Sequence, residues 1–145
     1  MDFHNAMAIS ATGMDVEKMR LDISAVNLAN IHSTAGPNGK LFRPLHVTVS
    51  EAGANFAAGF ERLAGVPLHG ARVLSIEETD VAPHRAYDPG NPDADDKGFV
   101  STPGINQVTE MVNIASALRA YEANVVAMNA AKHMAMKALE IGGSQ

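Results

Sequence analysis

Residues 108–134 read VTEMVNIASALRAYEANVVAMNAAKHM. In and just beyond this stretch, Met111, Ile114, Leu118, Tyr121, Val125, Met128, Lys132, Ala135 and Leu139 follow a three–four spacing. Such a seam marks a helix that packs lengthwise on other helices. Asn106 stands where an N-cap belongs, with Thr109 in place of the glutamate of a capping box. The helical pattern then runs without glycine or proline as far as Gly142 and Gly143. Ala115, Ala117, Ala131 and Ala138 flank the seam where an isolated zipper carries charge, and Val112 and Val126 widen the apolar face. From Ile105 to Leu139 the charged residues are Glu110, Arg119, Glu122, Lys132 and Lys137. A long helix so sparsely charged must be covered on several sides. A chain of 145 residues has one other long helix to cover it, so the excess points to oligomerisation. The alternative is a two-helix hairpin within one chain.

That other helix is expected from about Phe3 to Ile31, where Met7, Ala11, Met14, Lys18, Leu21, Ala25 and Leu28 form a second seam with one lysine intruding. Between the helices, Thr34 to Gly104 holds all seven prolines and most of the glycines. Its runs LHVTVS, ARVLSIE and KGFV read as short strands separated by turn chemistry. The expected fold is α+β. Segments 1–33 and 105–145 are long helices packing as a coiled-coil-like α-domain, and 34–104 is a small β-rich middle domain inserted between them.

Composition narrows the function. Hydrophobic residues make up 46% of the chain but aromatics only 5%, with eight methionines, so packing is aliphatic and adaptable. The formal charge of −5, with no basic block, argues against nucleic acid as the main partner. Without cysteine there is no disulfide, thiolate metal site or cysteine nucleophile. The start MDFHNAMAIS lacks the pattern of a cleaved secretory signal, and no run reaches the length of a membrane span. The expectation is a soluble chain, cytoplasmic or exported without a cleaved signal.

No site of chemistry stands out. The six histidines are scattered singly, so surface or turn positions are preferred to a metal site. In YDPGNPDADDKG, Asn91, Asp93 and Asp95 alternate like the first ligands of a calcium loop. Asp96 then stands where that loop needs glycine and Thr102 where it needs glutamate, so consecutive tight turns fit better. Recognisable nucleophile or phosphate-binding motifs are missing, and no catalytic residue, cofactor or metal is expected. Asn27 and Asn30 lie three apart in NLANIHSTAG. Asn30 suits a helix stop in the left-handed conformation. Asn27 costs helix propensity without capping, so local backbone bonding and an amide held for an interface remain equally open.

LDISAVNLANIHST (21–34), YDPGNPDADDKGFV (87–100) and residues 108–134 together resemble the flagellar basal-body rod proteins, and the resemblance covers the whole chain. NLAN is shared across axial proteins, whereas DPGNPDAD joined to GFV is similar to the proximal-rod branch. His32 departs from the small or acidic residue usual there. The resemblance implies a structural subunit of the proximal rod, without catalysis. Its terminal helices would polymerise with copies of itself and other rod proteins into a torque-transmitting shaft across the periplasm. It also implies export through the flagellar type III apparatus. Met14, Leu21, Asn27, Leu28 and Asn30, with Met111, Leu118, Tyr121, Asn124, Val125 and Met128, become interface candidates. Asp88, Pro89, Asn91, Asp93 and Asp95 become a candidate loop contact. Another short axial rod protein, or a soluble cytoplasmic helical adaptor, is the alternative.

Overall fold

The computed structural model describes residues 3–35, 39–51 and 70–143; parts of the expected middle domain, 36–38 and 52–69, lie outside them. The two long helices form as α1, Phe3–Ala29, and α2, Gln107–Gly142. Asn106 caps α2: its backbone is extended and its side chain accepts from the Thr109 N–H. At the other end Gly143 donates its N–H to Leu139 O.

Among the described residues four strands lie between the helices: β1 (Leu45–Glu51), β2 (Ala71–Glu78), β3 (His84–Tyr87) and β4 (Phe99–Thr102). They make two antiparallel pairs, β1 with β2 and β3 with β4, the first carrying an irregularity between Thr48 and Val49. The fold is therefore α+β. β1, β2 and β4 coincide with the apolar runs. β3, the polar HRAY, has no alternating pattern and no buried residue. It is a strand because β4 pairs with it.

The helices run antiparallel. Asn27 reaches Glu110, while Gly13 lies beneath Asn124, fourteen residues along each helix. A Cβ on Gly13 would stand 2.8 Å from Asn124 Oδ1, so glycine sets the closeness of this crossing. The buried residues are small or polar: Ser10, Ser24 and Asn27 with Val16 on α1, and Ala117 and Ala131 on α2.

The expected seam of α2 divides: Met111, Leu118 and Leu139 are exposed, Ile114, Val125 and Met128 are half-buried, and Ala117 and Ala131 are buried with Asn124 half-buried between them. Small side chains along this inner line let the helix axes approach more closely. Ala117→Leu should overpack this line and cost about 1–3 kcal/mol, read as a lower midpoint in chemical denaturation.

Candidate assembly interface

Asn27 is 2% exposed, and its amide is used within the chain. Nδ2 donates to Leu45 O at 2.9 Å, and Oδ1 accepts from the Leu45 N–H at 2.8 Å. The carboxamide thus pairs with the first residue of β1 as a neighbouring strand would. Nδ2 also lies 3.5 Å from Glu110 Oε1. One side chain therefore ties α1 to β1 and to the first turn of α2. Of the two readings open for Asn27, the subunit itself shows an amide occupied by backbone, though that backbone is distant in sequence and not local. A partner 18 residues away gives no local signal in sequence.

Asn30 does stop α1, but not through a left-handed backbone: among the described residues no residue other than glycine has positive φ. Its Nδ2 instead donates back to Val26 O at 2.8 Å, and Ser33 closes the turn onto Asn30 O. Asn124 is half-buried at the Gly13 crossing and donates to Ala120 O. These three asparagines all work inside the subunit.

The apolar candidates divide differently. Met14, Leu21, Leu28, Val125 and Met128 are half-buried, whereas Met111, Leu118 and Tyr121 are exposed. Val108, Val112 and Val126 extend the exposed surface around the back of α2. Large exposed apolar patches are the usual mark of an interaction surface.

The 88–98 loop is held by Asp95. Its Oδ1 accepts from the Lys97 and Phe99 N–H groups, and Oδ2 takes the Arg85 guanidinium. Gly98, at φ 75°, closes the turn in a conformation that disfavours side chains. Asn91 Oδ1 accepts from the Asp93 N–H, and Asp93 Oδ2 accepts the Thr34 hydroxyl. The three acidic-loop side chains therefore point to separate partners, the last linking the loop to the segment after α1. Asp88 and Pro89 stay exposed beside Tyr87, whose ring meets Phe99 edge-on at 5.3 Å. Arg85 lies over the Phe99 ring at 5.2 Å.

Gly13, Thr34, Arg85 and Glu110 were not singled out as site residues from sequence. Each matters through a distant partner.

Residues 96–141 match the family model described as flagellar basal body rod FlgEFG protein C-terminal, and near-full-length relatives place the chain in the same class of flagellar basal-body rod proteins. The chain is 37% identical to the flagellar basal-body rod protein FlgC of Bacillus subtilis, covering 97% of each. It is 36% identical to that of Escherichia coli O6:H1, over 95% of this chain and 96% of the other. Against that of Borreliella burgdorferi the identity is 33%, over 97% and 98%. The chain belongs to the FlgC family of flagellar basal-body rod proteins. It is a structural subunit of the basal body and not an enzyme.

Two outcomes follow for the bonds described above. Asn27→Ala leaves the Leu45 N–H and C=O without their partner and should cost about 1–3 kcal/mol in denaturation of the purified chain. Asn27→Asp, which loses the donor and faces Glu110, should do no better at neutral pH. For Asp95, the Phe99 N–H first, then Lys97 and Arg85, hold the carboxyl below the usual aspartate range. A lowered folded value means its contribution is present above the ordinary aspartate value and fades as pH falls through the folded one. Exchange protection of the Phe99 amide should accordingly persist through mild acid and drop only below that range.

Proposed function

We propose that this subunit polymerises through the outward faces of its two terminal helices into the part of the rod that crosses the periplasm. The observation that carries this reading is the inversion of α2: its small side chains meet α1 and its large ones face away. Leu118 is 45% exposed and Val126 68%, in a chain where no large side chain among the described residues is fully buried. Burial of apolar surface contributes about 25 cal/mol per Å², so covering this face is a strong drive to assemble.

Met14, Leu21, Leu28, Met111, Leu118, Tyr121, Val125 and Met128 are the side chains offered to neighbouring subunits in this reading. Asp88 and Pro89 are offered by the loop, with Asp95, Asn91 and Asp93 shaping its backbone rather than touching a neighbour. The partners are copies of the chain and other rod proteins. Among the described residues no helix is long and apolar enough to cross a membrane. Passage through the flagellar type III apparatus fits helices whose ordering, at about 1–2 kcal/mol of backbone entropy per residue, is completed by burial at the growing end.

Leu118→Asp tests the reading. The purified variant should unfold within about 0.5 kcal/mol of the parent, as exposed substitutions do. Cells carrying it should lose motility, and their isolated hook–basal bodies should lack the chain by mass spectrometry. Normal rods containing the variant would refute this use of α2.

A further inference from the structure

Strand pairing decides which backbone groups of β1 face away from β2. Thr79 donates its N–H to Pro44 O at 2.7 Å, and Leu45 gives both its backbone groups to Asn27. Bonds alternate along an antiparallel ladder, so His46 and Thr48 are the residues bonded to Glu77 and Ser75 on β2. Leu45 and Val47 therefore direct their N–H and C=O outward along one edge. Asn27 covers that edge at Leu45, where its carboxamide stands in for a strand residue. At Val47, only 7% exposed, no group among the described residues takes the same place. Buried backbone polar groups are almost always paired, which makes this open position unusual.

Val47 borders a cleft of about 510 Å³ between β1, α1 and the first turns of α2. A strand residue takes about 3.3 Å of length, 4.8 Å between strands and 10 Å between layers, roughly 160 Å³. The cleft thus holds about three such residues. Glu110 lines it, and its Oε2 is buried without a hydrogen-bond partner. Glu17, its side chain 14% exposed, meets the half-exposed Arg20 at 3.4 Å. Two carboxylates against one guanidinium leave the wall acidic.

We infer that the open edge of β1 takes an extended segment of another polypeptide, about three residues long, with an arginine or lysine directed at Glu110. The segment takes up the edge where Asn27 leaves it. Its backbone exchanges bonds with Val47 as the Asn27 carboxamide does with Leu45. Directly opposed residues share a face, so the residue paired with Val47 points the way the buried Val47 side chain does, toward the helices. A basic side chain there supplies the donor that Glu110 Oε2 lacks. A helix cannot fill this role, because its own turns use its backbone groups. Strand addition draws affinity from the main chain and specificity from a few side chains. The cleft lies between β1 and the helices, so the inference does not depend on how the outward helix faces are used.

The probe is acetyl-Val-Arg-Val-amide, titrated into the purified full chain and followed by backbone amide NMR. The Val47 N–H signal should move, with a Kd in the millimolar range for so short a strand. Norleucine in place of the probe's arginine should weaken binding about tenfold, and Glu110→Gln should do the same to the arginine probe. Together the two changes should cost no more than either alone, as for one coupled pair. A probe N-methylated at its arginine cannot donate to Val47 O and should not bind. A Val47 signal unmoved at about 10 mM probe overturns the inference. So does a norleucine or N-methyl probe that binds as well as the parent, or losses that multiply in the combination. Movement of the Val47 signal with protein concentration alone assigns the edge to a second copy and also overturns it. If Glu110→Gln does not fold, the two altered probes decide on the parent chain.

Discussion

Gly13 beneath Asn124, with Ala117 and Ala131 on the same line of α2, brings the two helices together along side chains too small to fill a wider gap. Everything outward of that line follows from it. A helix has one circumference, and when its small residues take the inner face the large ones have nowhere else to go. The subunit thus gives up much of the burial that Met111, Leu118 and Val126 could supply within it. What it keeps inside is specificity of register: a glycine notch, an asparagine over it, and a second asparagine bonded to the start of β1.

The lengths and ends of the helices were legible because their signals are local. The three–four spacing, the Asn106 cap and the glycines after Ile141 each act within a turn or two of where they stand. The apolar strands were legible for the same reason. β3 was not, since His84–Tyr87 has strand geometry only through Val100 and its neighbours on β4. Periodicity also could not choose the inner stripe of α2. Leu118 and Ala117 are neighbours in the chain, about 100° apart around the helix, and which of them turns inward depends on how closely α1 approaches, a property of Gly13 on another segment. Asn27 was legible as an anomaly, a costly residue in the last turn, but its reason lay at Leu45.

The candidate interface was read with the same mixture. Sequence identified α2 as under-covered, and the exposed Met111, Leu118 and Tyr121 lie on that uncovered surface. It failed wherever a polar side chain had two possible employers. Amides and carboxylates satisfy themselves with whatever backbone is near, and burial without a partner costs more than the bond itself is worth. Asn27, Asp93 and Asp95 all found partners within the chain. Polar candidates for an interface are therefore weaker inferences from sequence than apolar ones, whose only alternative to a neighbour is water.

A structural subunit must also connect its outer parts to its helices. The β1–β2 pair packs on α1, and the Asn27 amide fixes its first residue to the end of that helix. The β3–β4 pair is tied by a different link, Thr34 to Asp93, with Asp95 keeping the loop in the shape that presents Asp93. Both links leave the last turn of α1 or the residues just after it. The segment NLANIHST is accordingly a junction rather than a mere helix end. Asn27 holds one strand pair, Asn30 turns the chain, and Thr34 holds the other, so both are anchored at the same end of α1.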